Sequence, residues 1–271
     1  MRVYAGTSGF SYKEWRRSFY PEGLPASGML AYYATRLPAV EINNTFYRMP
    51  TPEMLAGWAE QVPSEFRFVL KAARRITHQQ KLVNVGDSVA YLFTIAAILG
   101  GRLGPVLFQL PPFLRKDTAR LRDFLAVLPE GCRAALEFRN PSWFADDVYE
   151  ALRERDAALC GGDVDDTEKR PPLVATASWG YLRLRRSAYA PGELESWAAS
   201  IIGQPWSEAY AFFKHEEQGP GLAQRLNQLT GGATLKAPEG PTISAAKPRA
   251  LEQLDVVGPR ARAVSKRRKR G

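Results

Sequence analysis

Three things that would point directly to a chemistry are scarce in this chain: cysteine, histidine and long apolar runs. Its two cysteines, Cys132 and Cys160, lie far apart with no metal-ligand spacing. That excludes a disulfide framework and a thiolate zinc site. The two histidines, His78 and His215, are too few for a multi-histidine zinc centre. The longest apolar run, Val89–Leu99, falls well short of the ~20 residues that a membrane-spanning helix needs, so no membrane partner is expected. Gly6-x-x-Gly9 lacks the third glycine of a dinucleotide fingerprint, and neither a P-loop nor a nucleophile elbow occurs. A strand pattern starts at Arg2, directly behind Met1, which leaves no room for a signal peptide and predicts a cytoplasmic protein.

Acidic residues are absent from one stretch in particular. Residues 259–271 hold seven lysines and arginines and no acid, so the first 258 residues carry only +2 of the formal net charge of +9. The body is nearly neutral and the basicity belongs to a tail. Such a tail predicts an electrostatic arm for nucleic acid or another polyanion, against the plainer reading of a solvated tail with no specific partner.

What is present is alternation. Apolar runs at Arg2–Gly6, Ala39–Ile42, Phe66–Leu70, Pro105–Leu110, Arg133–Phe138, Ala157–Gly162, Gly180–Leu184 and Ala209–Phe213 read as strands. Helical spacing falls at Met29–Leu37, Pro52–Gln61, Val89–Leu99, Thr118–Leu128, Asp146–Arg155 and Glu193–Ile202, with Leu222–Leu229 after the eighth strand. This order predicts an α/β chain with a parallel sheet. Count and length predict closure into a TIM-type (β/α)₈ barrel. From Thr230 onward glycine and proline break up any element. The expected organisation is therefore a barrel domain over 1–230 and a flexible basic extension over 231–271, with one weak helix near Pro248–Leu254.

In a barrel the residues just after each strand gather at one mouth, where ligands bind. Strand 1 brings Thr7 and Ser8, and strand 2 brings Glu41, Asn43, Thr45 and Tyr47, whose alternation predicts that they share one side. Strand 3 leads to Lys71, Arg74, Thr77 and His78, strand 4 to Gln109, and strand 5 to Glu137, Arg139 and Trp143. Asp163 closes strand 6, Arg183 and Arg185 lie on or after strand 7, and Lys214-His215-Glu216 follows strand 8.

These pieces together resemble the domain-of-unknown-function 72 family, also called YecE-like. The resemblance rests on Gly6-Thr7-Ser8-Gly9-Phe10-Ser11-Tyr12, Phe19-Tyr20-Pro21, and Val40-Glu41-Ile42-Asn43-Asn44-Thr45-Phe46-Tyr47. It continues through Phe68-Val69-Leu70-Lys71-Ala72, Ile76-Thr77-His78, Gly104 to Pro112, Glu137-Phe138-Arg139-Asn140-Pro141-Ser142-Trp143, Tyr181-Leu182-Arg183 and Phe212-Phe213-Lys214. It implies a TIM-barrel-like fold and no particular reaction. Strand 8 ends Phe-Lys-His-Glu, where many similar chains have Phe-Asn-Asn, so a role for that end transfers least.

Glu41 and Glu137, three strands apart, are expected to face each other across the mouth as acid and base, or as base and electrostatic stabiliser, with His78 as a proton shuttle. The plainer readings are pairing of each Glu with a cation such as Lys71 or Arg139, and a structural hydrogen bond for His78. Lys71, Arg74, Arg139 and Arg183 suit phosphate or carboxylate groups, although Arg74-Arg75 also reads as a solvated helix face. Tyr47 and Trp143 are candidates to stack on a base or sugar ring, or to pack beneath a loop. An all-oxygen Mg²⁺ or Mn²⁺ site from Glu41, Glu137 and Asp163 is the metal alternative. The leading expectation is an anion-binding pocket lined by Thr7, Ser8, Asn43, Thr45, Tyr47, Lys71, Arg74, Gln109, Arg139, Trp143, Asp163 and Arg183. Its ligand would be a phosphate-containing molecule or nucleic acid, with hydrolytic chemistry. A non-catalytic nucleic-acid-associated protein using the tail, and a carbohydrate-active enzyme with paired glutamates, are the competing readings. Oligomeric state has no signature in the sequence.

Overall fold

The computed structural model describes residues 1–215 and 217–232. Glu216, the basic tail and the expected helix near Pro248–Leu254 lie outside the described residues.

Eight strands pair in parallel: β1 (Arg2–Ser8), β2 (Ala39–Ile42), β3 (Arg67–Lys71), β4 (Leu103–Gln109), β5 (Ala134–Glu137), β6 (Ala158–Asp163), β7 (Trp179–Leu184) and β8 (Glu208–Phe213). They close in sequence order, β8 returning to β1. The expected (β/α)₈ barrel is the observed fold. β1 runs past its apolar stretch because Thr7 and Ser8 are themselves buried.

Seven α-helices lie among the described residues: α1 (Met29–Ala34), α2 (Pro52–Glu60), α3 (Gly86–Ala96), α4 (Thr118–Ala126), α5 (Asp146–Arg153), α6 (Glu193–Ile202) and α7 (Gly219–Leu229). Local signals set their starts. Thr51 caps α2 by accepting from the Met54 amide, with Pro52 in the first turn, and Asp117 caps α4 through the Arg120 amide. The crossover from β6 to β7 contains only a 3₁₀ turn, Thr167–Lys169. Pro171-Pro172 follows it, and a proline pair removes two amide donors that a helix interior would need.

The core has two shells. Helix residues such as Leu30, Tyr33, Leu55 and Trp197 pack on outward strand residues such as Val40, Leu70 and Leu184. Inside the barrel, Tyr4, Ala39, Val69, Leu107, Ala135, Cys160, Trp179, Tyr181, Tyr210 and Phe212 form a separate cluster, with the Tyr4 and Tyr210 rings stacked at 5.0 Å. Side chains alternate along a strand, so the inner set fixes which later residues point up the barrel axis. Two residues beyond Ala39 stands Glu41, beyond Val69 Lys71, beyond Leu107 Gln109, beyond Ala135 Glu137, and beyond Tyr181 Arg183. The site is a continuation of the inner core.

Candidate functional site

Arg183 is the centre of the mouth. Its Nη2 donates to Glu41 Oε1 at 2.8 Å and its Nη1 to Glu137 Oε2 at 2.7 Å, with only 4% of the arginine side chain exposed. The two glutamates do face the same space, as expected, but a guanidinium lies between them.

Each carboxylate is saturated. Glu41 Oε1 also accepts from Ser8 Oγ at 2.7 Å and Asn43 Nδ2 at 3.0 Å, and its Oε2 accepts from Tyr181 OH at 2.6 Å. Glu137 Oε2 accepts from Gln109 Nε2 at 2.9 Å, and its Oε1 accepts from Arg139 Nε at 3.2 Å and pairs with Arg185 Nη1 at 3.0 Å. Burial alone would push the Glu41 carboxyl up, but Arg183, Tyr181 and Ser8 outweigh it and hold the group below the ordinary carboxylate range. Burial acts the same way on Glu137, and Arg183, Arg185 and Arg139 outweigh it and hold that carboxyl well below the ordinary range too.

These geometries revise several expectations. A general acid at pH 7 needs a raised pKa and a free oxygen. Glu41 and Glu137 have neither, so the acid–base and paired-glutamate glycosidase assignments do not suit them. The three-carboxylate metal set does not converge either. Asp163 lies out of phase with Cys160, on the outer face of β6, where it accepts from Trp197 Nε1 at 3.0 Å, Tyr189 OH at 2.9 Å and the Arg185 amide at 2.8 Å. Among the described residues no group of three or more metal-ligating side chains forms.

Thr7 likewise points outward, sharing a 2.8 Å hydrogen bond with Tyr33 OH on α1. The alternation expected through Tyr47 stops at Ile42, because Asn44–Phe46 turns as a 3₁₀ helix. Asn43 still reaches Glu41, whereas Thr45 donates to the Lys71 carbonyl at 2.6 Å and Tyr47 stands 77% exposed. Trp143 is fully buried, stacked on Phe138 at 4.6 Å and donating to the Leu114 carbonyl, so it packs and does not touch a ligand. Arg74 is exposed.

Cations remain in excess at the mouth. Lys71 Nζ sits 4.5 Å from the Phe46 ring centroid and forms no ion pair among the described residues. Burial first, then Arg183, pulls its pKa down to about 8 against the opposing pull of Glu137 and Glu41. His78 shares a 2.9 Å hydrogen bond with Thr77 Oγ1 and meets the Phe46 ring edge-on at 4.9 Å. Burial, Lys71, Arg74 and Arg139 lower its pKa, which keeps the imidazole neutral at pH 7. The Lys214 pKa is lowered too, by burial and by Arg183, Arg185 and Arg139. The Nε atoms of Arg183 and Arg185 are buried without an acceptor among the described residues.

The family described as Protein of unknown function DUF72 matches residues 4–246. The chain belongs to the DUF72 family. It is 33% identical over 174 residues to the UPF0759 protein YecE of Escherichia coli O157:H7, covering 64% of this chain and 61% of YecE. It is 29% identical over 160 residues to the UPF0759 protein YunF of Bacillus subtilis (strain 168), covering 55% of this chain and 54% of YunF. The matches thus span less than two thirds of either relative. A DUF72 family protein from Thermotoga maritima superposes with a TM-score of 0.70 at 23% identity, over 85% of this chain and 100% of that one. A second, from Enterococcus faecalis, gives 0.69 at 19% identity over 86% of this chain and 98% of that one. At such identities these two structures speak to the fold alone.

Tyr181 is the mouth residue of this DUF72 chain that strand-end reasoning passed over, whereas Arg185 and Lys214 were placed at strand ends but left out of the expected pocket. The signal was available: counting by two from Arg183 reaches Tyr181 and Arg185, and from Phe212 reaches Lys214. No described helix is long and apolar enough to cross a membrane.

Proposed function

We propose that the C-terminal mouth of the barrel binds an oxyanion, most simply the phosphate group of a small ligand. One observation carries this reading. The two mouth carboxylates are already engaged, Glu41 by Arg183, Ser8, Asn43 and Tyr181 and Glu137 by Arg183, Arg139, Arg185 and Gln109, yet Lys71 and the buried Nε donors of Arg183 and Arg185 still lack an anionic partner among the described residues. A half-buried cation and buried donors are costly in that state and gain most from an incoming anion. If hydrolysis follows, the groups able to move a proton are His78 and Lys71, not the glutamates.

A ring-bearing ligand, a nucleotide or a strand of nucleic acid, is the second reading. Tyr47 in the loop after β2 and Phe113 in the loop after β4 are 77% and 65% exposed, and exposed rings near a cationic mouth suit base stacking.

The test is a thermal-shift titration with inorganic phosphate, sulfate and adenosine monophosphate at constant ionic strength. A ligand at 100 times its Kd stabilises the native state by about 2.7 kcal/mol. A saturable rise in Tm that Lys71→Gln diminishes supports the reading. A flat response to every oxyanion removes it. A loss in Tyr47→Ala confined to the nucleotide supports the ring-bearing form.

A further inference from the structure

Lys71 is more than one positive charge among several. It ends β3 in phase with Val69 of the inner core, and its Nζ lies over the Phe46 ring at 4.5 Å. His78 meets the same ring edge-on, at 4.9 Å and 82°. Among the described residues no carboxylate forms an ion pair with Lys71, because Arg183, Arg185 and Arg139 already engage Glu41 and Glu137. The charged groups acting on it come from three other strand ends: Arg183 from β7, Glu137 and Arg139 from β5, and Glu41 from β2. A lysine amine is activated as a nucleophile by an apolar, desolvated seat and by a neighbouring cation. Lys71 has both.

We propose that Lys71 is a nucleophilic amine that forms an imine with an aldehyde or ketone whose oxyanion is held at the same mouth. The step balances without a co-reactant. The ammonium first yields a proton to His78 or solvent, and the free amine attacks the carbonyl carbon to give a carbinolamine. The carbonyl oxygen then leaves as water, so that one –NH₃⁺ and one C=O become one protonated C=N bond and one H₂O. Arg183 and Arg139 carry fixed positive charge beside this centre, which favours a substrate bearing phosphate or carboxylate. The oxyanion anchor rests on the binding mode proposed above, whereas the amine chemistry does not.

The experiment treats the full chain at pH 7.5 with pyridoxal 5′-phosphate, an aldehyde that carries a phosphate, or with acetaldehyde, which carries none. Borohydride then fixes any imine, and mass spectrometry of peptides maps the modified lysines. With a pKa of about 8, roughly a quarter of Lys71 is neutral at that pH, against roughly a thousandth of an ordinary exposed lysine. Labelling on the order of tenfold faster at Lys71 than at surface lysines is expected with both aldehydes, after allowing for the weaker intrinsic nucleophilicity of a less basic amine. Inorganic phosphate should slow the pyridoxal 5′-phosphate reaction, and Lys71→Arg, which keeps the charge, should abolish the fast label. Labelling spread evenly over surface lysines would overturn the proposal even if phosphate raises Tm. Fast labelling of Lys71 that phosphate does not slow would uphold the amine chemistry and remove the oxyanion anchor.

Discussion

Arg183 on β7 and Glu41 on β2, 142 residues apart in sequence, meet in a 2.8 Å charge-assisted hydrogen bond with almost no solvent on either side chain. The same guanidinium turns its other nitrogen to Glu137 at 2.7 Å. One side chain therefore ties three strands of the barrel together at its mouth, and against burial it is the leading charge that holds both glutamates below the ordinary carboxylate range.

Removing that side chain should be expensive. Arg183→Leu would leave two buried carboxylates without their main counter-charge, and breaking a buried ion pair costs about 3–5 kcal/mol. A urea denaturation should show a loss in that range, while Tyr47→Ala should stay within about 0.5 kcal/mol of wild type. A loss below about 1 kcal/mol for Arg183→Leu would mean that the mouth relaxes or hydrates in a way the hydrogen-bond pattern does not show.

Acid should attack the same triad. Glu41 and Glu137 have folded-state pKa values below their unfolded ones, so the unfolded chain binds protons first as pH falls. Their contribution is complete above about pH 4.3–5 and is lost progressively below it. The urea midpoint of wild type should drop steeply between pH 5 and pH 3. Glu137→Gln, less stable at pH 7, should show a shallower drop over that interval. Parallel curves would contradict the ionised assignment.

Alkali should act through Lys71. Its folded pKa of about 8 lies below the unfolded value, so between there and about pH 10.4 the unfolded chain holds the extra proton and ligand-free stability gains from this group as pH rises. Anion binding should do the opposite and weaken as pH passes 8, because the ammonium that attracts the anion is lost. The phosphate-induced Tm shift, measured from pH 6.5 to 9.5, should decline through pH 8 in wild type and stay level in Lys71→Arg. A level response in both would take Lys71 out of the binding site.

Gly162→Ala should disturb the mouth from below. Gly162 on β6 has φ +139° and faces Arg183 across the β6–β7 ladder, where a Cβ would overlap the Arg183 carbonyl. The backbone at Arg183 would have to move, and strain of this kind costs about 1–3 kcal/mol. Both stability and the phosphate response should fall, unlike Gly57→Ala in α2, where a Cβ meets open space. An unchanged phosphate response in Gly162→Ala would show that Arg183 tolerates a shifted strand.

Much of this was legible in the chain itself. Apolar runs separated by helical spacing dictated eight strands, their parallel order and a barrel, since such strands can only be buried on both faces. The missing helix between β6 and β7 was already written in Pro171-Pro172, and Glu41, Lys71, Gln109, Glu137 and Arg183 could be placed at the mouth by their positions at strand ends. What one dimension could not supply was phase and partner. Asp163 and Thr7 sit at strand ends exactly as Glu41 does, yet they face outward, because the side a residue takes is set by pairing register and by which neighbours pack inside. Nor does any local pattern reveal that Arg183 enters between two glutamates more than forty and more than a hundred residues away. That contact comes from barrel closure, and it turns a would-be acid–base pair into the counter-ions of an arginine and leaves Lys71 without an ion pair among the described residues.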